Sequence, residues 1–162
     1  MGYRDNILRY ISESLNLLER LIEQDNFTEA GYLIEKITVP TFQQDVLEYI
    51  AEKINRILKN LIEKKKFEEA IKLANKIKNY YCKSKILKDI SDELLIYDVD
   101  QAIQVIKRIE MPHYRFEALM KAIVSAKSED LERISEIIGE VKASDLRKIA
   151  IELIKKNEKQ IG

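Results

Sequence analysis

The sequence predicts an all-α protein built from antiparallel helical hairpins that stack as a short α-solenoid. Three observations carry this prediction. Apolar residues recur at steps of three and four along almost the whole chain, which is the pattern of amphipathic helices. Only four glycines and two prolines occur in 162 residues, so little of the chain is available for long turns. One segment also returns later in the chain with the same order of residue types, and such repetition indicates stacked helical units with a shared core.

The repeat has two long copies and a shorter third one. The segment at 17–23 (LLERLIE) returns at 57–63 (ILKNLIE). Each copy continues with a phenylalanine, an acidic residue, an alanine and aliphatic residues, starting at Phe27 and Phe67. The shortened third copy has Val99 in place of the phenylalanine and Gln101 in place of the acidic residue, followed by Ala102, Val105 and Ile109. The repeat therefore places the same pair of helices at least three times along the chain.

One alanine stands at the same position of each copy: Ala30, Ala70 and Ala102. A small residue lets two helix backbones approach closely, whereas a leucine there would overpack the contact at a cost of about 1–3 kcal/mol. We therefore predict that these three alanines are buried where paired helices cross.

The first four helices follow from the two long copies. The first helix (4–24) and the third helix (42–65) each carry one apolar stripe, made of Ile7, Ile11, Leu15, Leu18 and Ile22 and of Val46, Ile50, Ile54, Ile57 and Leu61. The second helix (27–37) and the fourth helix (67–79) begin at the phenylalanine of each copy. These elements predict a first hairpin over 4–38 and a second over 42–79.

Five further helices complete the single predicted domain, which covers residues 1–162. The fifth and sixth helices (82–96 and 99–109) form a third hairpin over 82–110. The seventh and eighth (113–126 and 129–141) form a fourth hairpin over 113–141. A ninth helix begins at Ser144, lies within 144–159, and has a polar end typical of a solenoid cap.

The helix boundaries carry their own signals. An N-cap residue stands three positions ahead of a Glu or Gln in three places: Asn26 and Glu29, Thr41 and Gln44, and Asp98 and Gln101. In this capping box, side chains accept hydrogen bonds from free N–H groups at the helix start, which stabilises the helix by about 1 kcal/mol. Pro40 and Pro112 follow the second and sixth helices, where a proline ends a helix without cost.

Part of the chain resembles the tetratricopeptide repeat. The segments at 66–71 (KFEEAI), and more loosely at 26–30 and 99–103, are similar to the start of that repeat's second helix. The likeness covers about positions 10–125, and the two prolines fall near the family's terminal proline. It implies a right-handed superhelix that acts as a protein-interaction scaffold. The family's Trp, Leu-Gly and Tyr positions are missing, and the spacing between copies is first longer and then shorter than the family's constant period. The family's peptide-clamp residues therefore cannot be transferred to this chain.

The residue types needed for catalysis are scarce. His113 is the only histidine and Cys82 the only cysteine, and no two glycines lie close enough for a phosphate-binding loop. Cys82 lies beside Lys83 and Lys85, which would favour a reactive thiolate, but a lone cysteine is more often a small core residue. His113 is interpreted as a capping or exposed residue at a helix start. We expect a protein that is not an enzyme and binds no cofactor or metal.

Charge is unevenly distributed although the formal net charge is zero. Residues 1–52 hold four basic and ten acidic side chains, residues 53–88 hold twelve and three, and residues 89–162 hold twelve and fifteen. The basic segment 53–88 favours a protein partner, and an acidic segment would match its charge. Nucleic acid is the alternative, because Tyr80 and Tyr81 adjoin the lysines. The predicted partner-facing residues are Lys53, Arg56, Asn60, Lys85, Lys88 and Arg115.

Self-association is a further expectation. Tyr3, Ile7, Tyr10, Leu17 and Leu21 add a second apolar stripe to the first helix, and we predict an interface between copies centred on Tyr3, Tyr10 and Leu17. The alternative is that the third helix covers this stripe. Attraction between the acidic and basic segments of different molecules would also favour a homo-oligomer. A single cysteine and the absence of a long apolar run favour a cytoplasmic protein without a membrane segment, and Lys and Glu enrichment favours a thermophilic source.

Overall fold

The computed structural model describes residues 2–37, 43–138, 148, 151, 152 and 155. Over these residues the chain forms helices and no strand. Eight helices are described: α1 (Tyr3–Glu23), α2 (Phe27–Ile37), α3 (Gln44–Glu63), α4 (Phe67–Asn75), α5 (Tyr80–Tyr97), α6 (Val99–Lys107), α7 (Pro112–Ser125) and α8 (Ser128–Ile138). Of the predicted ninth helix, only Lys148, Ile151, Glu152 and Lys155 are described, each in helical conformation. No helix in the described ranges is long and apolar enough to cross a membrane.

Two of the predicted capping boxes form the expected bond to the N-cap side chain. The Glu29 N–H donates to Asn26 Oδ1 at 3.4 Å, and the Gln101 N–H donates to Asp98 Oδ1 at 3.2 Å. The third predicted box, with its N-cap at Thr41, and the predicted stop at Pro40 lie outside the described residues. The N-cap side chains of α2 and α6 thus supply the acceptor that each helix start requires.

The predicted boundaries around the fourth, fifth and sixth helices were wrong. The fourth helix ends at Asn75 instead of residue 79, and α5 begins at Tyr80, because Asn79 Oδ1 accepts the N–H of Cys82 at 3.0 Å and so caps this helix. Pro112 is the first residue of α7 rather than the stop of the sixth helix, which ends at Lys107. Proline is well suited to a first helical turn because the N–H it lacks would have no partner there.

The α1–α2 and α3–α4 turns are copies of each other. Asp25 and Lys65, which occupy the same position of the two long copies, adopt left-handed conformations with φ of 56° and 63°. In the first turn the Asp25 N–H donates to the carbonyl of Ile22, and the next N–H donates to that of Leu21. The second turn repeats both bonds at the equivalent residues. This is the Schellman arrangement, which normally places glycine at the left-handed residue.

Helices in substantial contact are one or two positions apart in the order of helices. The first helix of each pair contacts the first helix of the next, so that α1, α3, α5 and α7 form one row, here called the first-helix row. The second helices contact each other as α2 with α4 and α6 with α8. Contact between α4 and α6 is at most marginal among the described residues.

One hydrophobic cluster extends from Ile7 in α1 to Ile134 in α8. The three repeated alanines Ala30, Ala70 and Ala102 are 0% exposed, so the prediction that they are buried is confirmed. The predicted stripes of the first and third helices also lie in the core. The described helices therefore share a continuous apolar interior.

Among the described residues, three ion pairs join the α1–α2 hairpin to the α3–α4 hairpin. Arg4 pairs with Asp45, Asp25 with Lys66 at 2.6 Å, and Glu35 with Lys76 at 3.5 Å. In each pair the later residue lies one position after the residue that the repeat would align with its partner. The same offset recurs in α1, in a turn and in α2. Two of the pairs, Asp25–Lys66 and Glu35–Lys76, join the acidic segment 1–52 to the basic segment 53–88 within one chain.

Candidate functional site

The first-helix row carries a groove with a volume of about 360 Å³, here called the α3–α5–α7 groove. It is lined by Asn55 and Lys59 from α3, Asp89, Asp92, Glu93, Leu95 and Ile96 from α5, and Lys121 and Ser125 from α7. Within each helix most of these residues are three or four positions apart, which places them on one face. Three successive helices thus supply polar side chains to a single groove.

Asp92 is the most strongly perturbed acid of the groove. Burial raises the pKa of the Asp92 carboxyl, and the opposing effects of Lys88 and Lys121 do not cancel this increase. Its Oδ2 accepts a charged hydrogen bond from Lys88 Nζ at 3.0 Å. Burial lowers the pKa of Lys88, but the hydrogen bond to Asp92 and the charges of Asp92, Asp89 and Glu117 raise it above its ordinary value. The ammonium of Lys88 is therefore held charged beside the groove.

Two acceptor atoms in the groove are buried and unpartnered among the described residues: Asn55 Oδ1 and Asp92 Oδ1. Buried polar atoms nearly always have a partner, and leaving one unpaired costs about 1–3 kcal/mol. Three carboxylates and two lysines line the groove, and Lys59 pairs with Glu93 at 3.8 Å. Ile96, 72% exposed, adds an apolar surface. The arrangement can therefore accept hydrogen bonds from a bound donor next to an apolar group.

None of the six predicted partner-facing residues lines this groove. Lys88 lies beside it and is neutralised by Asp92, while Lys85 and Arg115 are half-buried elsewhere on α5 and α7. The other three are on the opposite edge of α3. Lys53 Nζ lies 5.6 Å from the Tyr49 ring centroid, and Arg56 pairs with Glu52 at 3.6 Å. Asn60 lines a separate cavity of about 150 Å³ toward α1. The structure does not bring the six together into one patch.

Within the described residues, half of the cations of the basic segment are paired. Six of its twelve cations form ion pairs: Arg56 with Glu52, Lys59 with Glu93, Lys66 with Asp25, Lys72 with Glu68, Lys76 with Glu35, and Lys88 with Asp89 and Asp92. Charge totals along the sequence did not predict the groove, because the three carboxylates that line it lie in α5 just beyond the basic segment. Their spacing, Asp89-x-x-Asp92-Glu93, was the available signal.

Half-buried tyrosines connect the helices of the first-helix row. The Tyr81 and Tyr114 rings meet edge to face with centroids 5.9 Å apart, and the Tyr81 hydroxyl donates to Glu48 Oε1 at 3.4 Å. Burial, followed by the hydrogen bond to Tyr81, raises the pKa of Tyr114. Tyr49 Oη lies 3.5 Å from the Ser12 hydroxyl of α1. These contacts favour a structural role for the three rings.

The predicted self-association residues are exposed. Tyr3, Tyr10 and Leu17 are 74%, 42% and 41% exposed, and their regular heptad spacing places them on one stripe of α1. The alternative that the third helix covers this stripe was therefore wrong for these three residues. Ile7 and Leu21, which were assigned to the same stripe, pack against the core instead. Self-association through the exposed stripe stays a prediction.

Cys82 is a core residue. It is buried at the start of α5, where its Sγ–H donates to the Leu47 carbonyl at 3.3 Å. Burial raises the pKa of the Cys82 thiol to about 12, against a weaker opposing effect of Lys85. The reactive-thiolate hypothesis was therefore wrong. His113 is exposed at the start of α7, with its ring 4.0 Å from that of Tyr114.

The described residues contain no group of three or more His, Cys, Asp or Glu side chains placed to hold a metal ion. We compared the chain with protein-family models, curated proteins and solved structures, and none of them matches it. Only its own geometry and chemistry bear on its function.

Proposed function

We propose that this chain is a non-catalytic interaction scaffold, a tetratricopeptide-like α-solenoid that binds a protein segment in the α3–α5–α7 groove. The contacts between neighbouring and next-but-one helices support the solenoid, as does the constant offset of the ion pairs between the α1–α2 and α3–α4 hairpins. The observation that carries the function is the pair of buried, unpartnered acceptors, Asn55 Oδ1 and Asp92 Oδ1. A bound segment that donates to both atoms would remove the cost of leaving them unpaired.

The chemistry of the groove favours a segment with a basic side chain. Its unpaired atoms accept hydrogen bonds and cannot donate them, and one of the two belongs to the Asp92 carboxyl group. A lysine or arginine meets both requirements. An aliphatic residue next to it would cover Ile96. The acidic partner expected from the charge of residues 53–88 is not part of this proposal, because six cations of that segment already have acidic partners.

Selection from a random displayed-peptide library, followed by titration of the selected peptides, tests this function. We expect the selected peptides to share a lysine or arginine beside an aliphatic residue. Asn55→Leu removes one acceptor, and we expect it to weaken binding about tenfold or more, because a hydrogen bond to a charged group contributes about 1.5–3 kcal/mol. Asn60→Leu is the matched control, since Asn60 is on the same helix but outside the groove.

The same pair of variants gives a second measurement without any peptide. Because Asn55 Oδ1 is buried and unpaired, Asn55→Leu should raise the free energy of unfolding by about 1 kcal/mol, whereas Asn60→Leu should not. The proposal is refuted if no peptide is selected, or if the selected peptides bind Asn55→Leu as tightly as the unchanged protein.

Binding of nucleic acid through residues 53–88 is the second candidate function. Lys64 and Lys65 lie exposed in the α3–α4 turn and form no ion pair within the described residues, but half of the segment's cations are paired. A titration of labelled single-stranded RNA at increasing salt concentration separates the candidates. Binding to phosphates weakens linearly in a log–log plot as counterions are released, while a peptide held mainly by hydrogen bonds and apolar contact depends less on salt.

A further inference from the structure

A second cavity, of about 230 Å³, lies where the α4–α5 loop and the start of α5 face the end of α6. Three cationic side chains line it: Lys78 from the loop, Lys83 from α5 and Arg108 from the end of α6. Among the described residues, Glu110 is the only acidic one that lines it. These lining side chains give the cavity a formal charge of +2, and it is separate from the α3–α5–α7 groove.

The three cations lack the ion pairs that Lys72 and Lys76 form. Within the described residues, none of Lys78, Lys83 and Arg108 lies within 4.0 Å of a carboxylate oxygen, while the adjacent Lys72 and Lys76 are paired at 3.1 and 3.5 Å. Like charges around one cavity repel each other and lower the stability of the folded chain. A bound anion would remove this repulsion.

Ser84 adds an uncharged donor to the same cavity. It is buried, and its Oγ accepts the Met111 N–H at 3.2 Å. A hydroxyl can donate and accept at once, so this contact leaves the Ser84 proton for a ligand. Tyr80, half exposed, also lines the cavity and offers a ring face beside the bound group.

We propose that this cavity binds a phosphate monoester as its dianion. The formal charge of +2 matches the charge of about −2 that a monoester carries above its second pKa, near 6. Arg108 supplies the forked geometry that suits phosphate oxygens, and the two lysines supply point charges. A phosphodiester has a single negative charge and matches the cavity less well. The monoester group is the shared chemistry of a free small phosphate and of a phosphorylated side chain.

Isothermal titration calorimetry with inorganic phosphate tests the proposal, in chloride buffer of constant ionic strength. We expect Lys83→Gln and Arg108→Gln each to weaken binding about tenfold or more. Glu110→Gln should tighten it about threefold or more, because it removes the opposing charge. Lys107→Gln is the matched control: Lys107 is exposed next to Arg108 but does not line the cavity. The proposal is overturned if phosphate does not bind or if Arg108→Gln and Lys107→Gln bind it equally.

A stability measurement tests the proposal even if phosphate binds too weakly for calorimetry. In chloride alone, Arg108→Gln should raise the urea midpoint because it relieves repulsion, and phosphate should then stabilise the unchanged protein but not the variant. A midpoint that falls in chloride for Arg108→Gln, with the same response to phosphate as the unchanged protein, contradicts the proposal. Asn55→Leu should leave phosphate binding unchanged, so failure of the groove and failure of this cavity are distinguishable.

The dependence of affinity on pH and on the type of phosphate compound identifies the ligand. Affinity for a phosphoserine peptide should fall about tenfold between pH 7.5 and pH 5, as the monoester dianion is protonated. A phosphoserine peptide that binds more tightly than inorganic phosphate would identify a phosphorylated protein as the source, and weaker binding would identify a small phosphate. A single-stranded oligonucleotide that binds more tightly than either, without dependence on pH, would overturn the monoester assignment.

Discussion

The left-handed residue of the α3–α4 turn allows a test in which two adjacent substitutions have opposite effects. Lys65 has a φ of 63°, a conformation that costs a residue with a Cβ about 1–2 kcal/mol. Glycine avoids that cost but makes the unfolded chain more flexible, which offsets about 0.4–1 kcal/mol. Lys65→Gly should therefore raise the free energy of unfolding by about 0.5–1 kcal/mol. Lys64, directly before it, has a φ of −82°, and Lys64→Gly should lower the same quantity by about 0.5–1 kcal/mol.

Urea unfolding followed by circular dichroism measures both changes. With a slope of about 2 kcal/mol per molar urea, Lys65→Gly should move the midpoint up by about 0.25–0.5 M and Lys64→Gly should move it down by a similar amount. Asp25→Gly is the equivalent substitution in the first turn. It should raise the free energy of unfolding less than Lys65→Gly, because it also removes the ion pair with Lys66. If Lys65→Gly lowers the midpoint as Lys64→Gly does, the Schellman turn at this position is refuted.

Three further predictions concern α2, α5 and α1. Gly31→Ala should raise the free energy of unfolding by about 0.5–1 kcal/mol, since the added Cβ would lie 3.6 Å from Lys76 Cγ in ordinary contact; a loss of stability in urea would contradict this. The Cys82 thiol should have a thiolate fraction at pH 8 about a thousandfold below that of the unfolded chain, so a thiol reagent should label the native protein far more slowly than the protein in urea. Comparable labelling rates would show that the thiol is accessible. Sedimentation should show an oligomer that the Tyr10→Glu, Leu17→Glu double variant dissociates, and an unchanged oligomer or a monomeric parent rules out the α1 interface.

The all-helical class and the order of the helices could be predicted because an amphipathic period survives without tertiary information. The error at the end of α4 shows the limit of this signal. Ile77 continues the apolar spacing of Leu73 and is buried, yet it lies beyond the helix end at Asn75. Ile77 can be buried without being helical, because the chain only has to return to the core at that point. The Asn79 cap determines where the next helix begins.

The candidate sites could not be predicted in the same way, because they depend on which side chains meet across helices. Charge totals along the sequence indicated a basic surface at residues 53–88. They contain no information about partners such as Glu35, which neutralises Lys76 from the preceding copy of the repeat. Asn55 carries no charge and has no motif. Its unpaired Oδ1 becomes visible only when α5 is placed against α3.

Asp92 Oδ1 and the cations Lys78, Lys83 and Arg108 lie beyond the second long copy, where the repeat period changes. Between the α1–α2 and α3–α4 hairpins, ion pairs recur at one constant offset. The spacing from Ala70 to Ala102 is shorter than that from Ala30 to Ala70, and here α4 and α6 have at most marginal contact in the part of the chain that the structure describes. A regular stack repeats its favourable pairs, whereas a shortened copy moves charged residues away from the partners that the repeat would provide. Asp92 Oδ1 and the unpaired cations around Arg108 lie in or next to this shortened part of the chain, and Asn55 lies on α3, which contacts α5. We therefore assign binding to this region.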